Sequence, residues 1–102
     1  MTRREKLEAM LRESPDDSFL RYGIAMEDRS QGNLAEALTG FMEVLRLDPA
    51  YVPAYFQAAQ LEIDEGKTVE ARDLLEQGIA AARKAGDSHA VGEMQNVLQG
   101  LS

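Results

Sequence analysis

Apolar residues recur along this chain at three- and four-residue intervals, and polar turn residues divide them into six segments. The first helix is expected to start at Thr2, with Glu5 three residues on completing a capping box, and to show the stripe Leu7, Met10, Leu11. Ser14-Pro15-Asp16-Asp17 stops and restarts the chain: Ser14 can cap, Pro15 suits a first helical turn, and two acids suit the positive helix end. A second helix over about 17–30 faces Leu20, Ile24 and Ala25 inward, and ends in the turn Gln31-Gly32-Asn33. Asn33, with Glu36 behind it, caps a third helix over about 34–47, whose stripe is Leu34, Ala37, Leu38, Phe41 and Leu45. Asp48-Pro49 ends it, because the residue before a proline is pushed out of the helical region. A fourth helix over about 52–65 presents Tyr55, Ala58, Ala59 and Ile63 before the turn Glu65-Gly66-Lys67. The fifth begins near Thr68, shows Ala71, Leu74, Leu75, Gly78, Ile79 and Ala82, and runs to Ala85 before Gly86. Asp87 or Ser88 caps a sixth, with Val91, Met94, Leu98 and Leu101 on one face and a stop near Gly100. No sustained period-2 alternation argues for a strand. The fold class predicted is all-α, built of helix pairs made antiparallel by their two- or three-residue turns.

A longer period lies over this pattern. Gly32 returns as Gly66, Glu36 as Glu70, Ala37 as Ala71, Phe41 as Leu75, Ala25 as Ala59 and Pro15 as Pro49, each 34 residues on. A fixed period of this length marks a helical repeat array. The small residues Ala25, Ala37, Ala59, Ala71 and Gly78 fall where paired helices would cross, and let their axes approach to about 8–10 Å.

Taken together these residues resemble the tetratricopeptide repeat family. Ile24-Ala25, Gly32, Ala37-x3-Phe41 and Pro49 follow its pattern in one repeat; Tyr55, Ala58-Ala59, Gly66 and Ala71-x3-Leu75 follow it in the next. Arg21 and Asp28 stand where the family prefers Trp and Tyr, Glu62 replaces the Tyr of the second repeat, and Arg83 replaces its closing Pro. The resemblance implies a single domain: a half repeat over 1–17, repeats over 18–51 and 52–85, and a C-terminal capping helix over 86–102.

Composition narrows the function classes. The formal net charge is −7, unevenly spread: residues 1–13 carry four basic and three acidic side chains, while the remainder carries seven basic and fifteen acidic. Such an acidic body repels phosphate backbones, so a nucleic-acid partner is not expected. No stretch approaches the roughly 18 apolar residues of a spanning helix, so no membrane partner is expected and the cytoplasm is the default location. The chain has no Cys, which removes disulfides, thiolate metal sites and cysteine nucleophiles.

Candidate chemistry is sparse. His89 is the only histidine and has no Ser or Cys in a pattern that would make it the base of an activated nucleophile. The acidic pairs at Asp16, Asp17 and at Glu62, Asp64, Glu65 fall at helix ends without the alternating ligand spacing of a calcium loop. Gly32 and Gly66 are lone turn glycines, not a phosphate loop. Neither catalysis, nor a metal, nor any cofactor is expected.

What remains is surface. In the family this chain resembles, the first helix of each pair lines a concave groove that takes up peptides or helices of partner proteins. Carried over, the groove side here is Phe19, Tyr22, Met26 and Arg29 from the second helix and Phe56, Gln57, Gln60 and Ile63 from the fourth, with Ala90, Met94 and Val97 added from the sixth. Independently, Tyr22 and Phe56 lie one period apart beside the small-residue stripe, where they form an apolar strip or else wedge between helices; Met26 adds an adaptable surface. Two functions fit: an interaction module binding another protein, or a self-associating assembly protein, for instance a homodimer, using the same face.

Overall fold

A computed structural model describes residues 1–101. Among them are six helices and no strand: α1 (Arg3–Glu13), α2 (Ser18–Ser30), α3 (Leu34–Leu47), α4 (Val52–Asp64), α5 (Thr68–Ala85) and α6 (Ser88–Gly100). The chain forms two compact units, Met1–Asp48 with α1 to α3 and the chain from Pro49 onward with α4 to α6. The all-α class and all six expected helices are present, within a residue or two of their expected limits.

In the first unit α2 packs on α3 and α1 on α2. Ala25, Ala37, Phe41 and Val44 are wholly buried. The close α2–α3 approach is measurable at Gly40, where an added Cβ would stand 2.9 Å from the Cβ of Ala25. Leu7 of α1 lies against Gly23 of α2. Two members of the expected stripes point elsewhere. Met10 is exposed, lying off the seam made by Leu7 and Leu11, and Leu34 is exposed because it occupies the first position of α3, a turn short of the buried run.

Helix starts differ in quality. Thr2 and Glu5 form the expected capping box. Before α2 the cap is not Ser14 but Asp17, whose carboxylate accepts from the Leu20 N–H at 3.1 Å; Pro15 therefore lies in the turn outside the helix. Ser14 instead closes α1, its N–H donating to the carbonyls of Met10 and Leu11. Asn33 occupies the cap position of α3 without making a side-chain cap bond. Asp17→Ala should thus lower stability by about 1 kcal/mol and Asn33→Ala by much less. Paired urea titrations check this, and equal losses would contradict it.

Helix ends repeat one device. Gly32, Gly66 and Gly86 take left-handed φ of 81, 77 and 73°. The N–H after each glycine reaches back five residues, Asn33 to Asp28, Lys67 to Glu62 and Asp87 to Ala82, at 2.8–2.9 Å. These bonds satisfy carbonyls the helix leaves open. The third glycine comes late because α5 has 18 residues against 14 in α3, about one extra turn.

The period also governs contacts that sequence does not announce. Arg21 Nε donates to the Pro15 carbonyl and Tyr55 Oη to the Pro49 carbonyl, both at 2.7 Å. Donor and acceptor are each displaced by one repeat length, so two chemically unlike side chains tie α2 and α4 to the turns before them. Asp28 and Glu62, also one period apart, are both buried carboxylates. Asp28 is held by Arg4 of α1 at 2.6 Å, and that hydrogen bond raises the Arg4 pKa above its ordinary value. Arg3 pairs with Glu27 beside it. Glu62 has an Oε2 that is buried without a hydrogen-bond partner.

In the second unit α4 packs on α5 and α5 on α6, and α4 also meets α6. The core is Ala54, Tyr55, Ala58, Ala59, Leu61, Ala71, Leu75, Ala82 and Met94. Gly78 is where this core is tightest: a Cβ there would come within 2.6 Å of Met94 Sδ and 2.7 Å of Tyr55 Cβ.

Candidate functional site

The second unit contains a pocket of about 320 Å³ between α4 and the start of α6. Val52, Pro53, Phe56 and Gln57 line it from α4; Asp87, His89, Ala90, Glu93 and Met94 line it from the α5–α6 turn and α6. It exists because of two local features already described. The extended α5 and its Gly86 stop set where α6 begins, and the missing side chain of Gly78 lets Met94 sink to 1% exposure behind the opening. Pro53 fits the first turn of α4, where its absent N–H is not missed.

The lining is apolar at its base and polar at its edge. Phe56 and Ala90 are half-buried, while Asp87, His89 and Glu93 are exposed. Gln57 has a buried side-chain oxygen with no hydrogen-bond partner. Asp87 accepts from the Ala90 N–H at 3.0 Å and so caps α6, and His89 Nε2 lies 3.4 Å from Glu93 Oε1. A volume near the share of about ten liquid waters can admit a bulky side chain.

Of the residues expected to form a groove, Phe56, Gln57 and Met94 are brought together here, with Ala90 beside them. Met94 is 1% exposed and forms the back of the pocket, where Gly78 leaves room for it. Gln60, Ile63 and Val97 are half-buried and do not line the pocket. In the first unit Phe19, Tyr22, Met26 and Arg29 share one face of α2 by their spacing. Phe19 is 71% exposed, Met26 and Arg29 are half-buried, and the Tyr22 ring leans on Phe41 with centroids 5.5 Å apart and a 56° tilt. That contact ties the Tyr22 side chain of α2 to α3.

Val52, Pro53, Asp87, His89 and Glu93 were not among the expected residues. Their signal was partly present: His89 and Glu93 stand four apart on one face of α6, the same face that carries Ala90 and Met94. Which helix that face meets depends on the length of α5. Among the described residues no group of three or more His, Asp and Glu is placed to hold a metal ion, and no helix is long and apolar enough to cross a membrane.

Comparison with known proteins gives concordant findings. The sequence model of the tetratricopeptide repeat matches residues 28–92. A TPR repeat-containing protein of Pseudomonas aeruginosa is 30% identical over 97 residues, covering 95% of this chain and 92% of its own length. The solution structure of a tetratricopeptide repeat domain protein from Salinibacter ruber is 33% identical with a TM-score of 0.81, covering 86% of this chain and 89% of that one. PcrH, solved in complex with the chaperone binding region of PopD, superposes with a TM-score of 0.87 at 16% identity, covering 96% of this chain and 74% of that one. At that identity the likeness is one of fold.

Proposed function

Because the chain belongs to the tetratricopeptide repeat family, we propose that it is a protein-interaction module that binds a peptide or helix of a partner protein at the α4–α6 pocket. In this reading the repeats span 18–51 and 52–85, with a half repeat before them and a capping helix after. The observation that carries it is the pocket itself: a cleft whose apolar lining is Val52, Phe56, Ala90 and Met94. The complex of PcrH with a segment of PopD, on a similar fold, supports the same use. In the first unit, taken by itself, the exposed Phe19 and the half-buried Met26 and Arg29 on α2 are proposed as a further contact face. The reading includes a cytoplasmic setting, which fractionation of the source cell would test.

Selection of a displayed random-peptide library on the immobilised protein, with Phe56→Ala as the counter-screen, tests this reading. Phe56 is half-buried, so thermal unfolding must first show the variant folded. Peptides held by the native protein should bind the variant at least about fivefold more weakly, as for an aromatic anchor. Equal retention by both would overturn the assignment. If the native protein retained none and its mass rose with concentration, self-association would be the better account of the surface.

A further inference from the structure

Resting on that reading, we propose that the α4–α6 pocket takes a partner segment in which a bulky apolar side chain stands next to a lysine or arginine. The apolar half of the requirement follows from Val52, Phe56, Ala90 and Met94. The cationic half follows from what rims them. The fixed charges of the lining are the carboxylates of Asp87 and Glu93, and no Lys or Arg takes part. The one basic group is the imidazole of His89, which is turned to Glu93.

An anionic ligand would have one attraction here, the positive N-terminal end of α6. Asp87 already answers it, placing a carboxylate on the Ala90 N–H. The wider field points the same way. From Pro49 onward the chain carries eight acidic and four basic side chains, so a cationic segment is drawn toward this unit and an acidic one is repelled. Glu93 is the member of the rim that can be altered with least structural consequence, since its side chain is half-exposed and its contact is with the exposed His89 ring.

The test uses capped peptides on a Gly-Ser background, each with a central Phe or Ala flanked by Arg, Gln or Glu. Binding is followed by amide shifts of the full ¹⁵N-labelled chain. Phe-Arg peptides should perturb Phe56, Gln57, Ala90 and Glu93, and bind about two- to fivefold more tightly than Phe-Gln peptides, as expected for one partly exposed charge pair. Phe-Glu peptides should bind most weakly. The spread should narrow as salt is added and invert in Glu93→Lys. Phe peptides that perturb the pocket with no preference for the flanking charge would overturn the cationic requirement and leave the interaction reading standing. If no Phe peptide perturbs the pocket, both fail. Pocket shifts that appear on concentrating the protein alone would make a second copy the occupant and overturn the proposal.

Discussion

Phe41→Ala is expected to lower the stability of the protein by about 3–5 kcal/mol, the largest loss from any single side-chain truncation in the first unit. Phe41 has no solvent exposure and lies on α3 among Ala37, Val44 and Leu45. Its ring meets that of Tyr22 in a tilted geometry that aromatic pairs favour. Truncation removes the ring's burial and leaves a space in a close-packed core. Domains of this size are stable by only about 5–15 kcal/mol, so the loss is a large share of the total. Urea unfolding checks the magnitude, and hydrogen exchange checks the place: amides of α2 and α3 should lose protection. A midpoint within experimental error of the native one would mean that Phe41 is not the centre of this core. Phe41→Leu, which keeps most of the apolar volume, should recover much of the loss.

The helices were legible because their signals are local. Caps, glycine stops and three- and four-residue stripes act within one element, and the 34-residue period shows them twice. Phe41 could be named as core for the same reason. Three kinds of feature were not legible. The Arg21–Pro15 and Tyr55–Pro49 bonds join side chain to backbone, and carbonyls are invisible to residue-type patterns. The burial of Asp28 and Glu62 runs against the polarity of their side chains. For Asp28 it depends on Arg4, 24 residues away on another helix. The rim of the pocket depends on where α6 lies against α4, which α5 sets by its length. Sequence supplied the faces of α4 and α6 separately, so Phe56, Gln57 and Met94 were named, and Val52, Pro53, Asp87, His89 and Glu93 were not.

Gly78→Ala should be destabilising by about 1–3 kcal/mol even though alanine is the better helix former by about 1 kcal/mol. Intrinsic propensity and packing oppose each other at this position, and the distances decide between them. The new Cβ would stand 2.6 Å from Met94 Sδ, which can rotate away, but also 2.7 Å from Tyr55 Cβ, which is fixed to the α4 backbone. Tyr55 is further held at its other end by the hydroxyl bond to Pro49, so it cannot yield without breaking that contact. Relief of the Tyr55 contact must come from separating α4 and α5, and Met94 must be displaced as well. Gly92→Ala is the control: Gly92 also lies within a helix, its Cβ would meet nothing within 4 Å, and the substitution should stabilise by up to about 1 kcal/mol. Opposite signs in paired thermal melts would establish that close approach, and not helix propensity, fixes glycine at position 78. The same variant reaches the candidate site, because Met94 closes the back of the pocket that Gly78 makes room for. A displaced Met94 fills that space, so a ligand of the α4–α6 pocket should bind Gly78→Ala more weakly while Gly92→Ala binds it as the native protein does. If Gly78→Ala melted higher than the native protein, Tyr55 and Met94 would not be packed as described, and the pocket would lose the feature that forms its base.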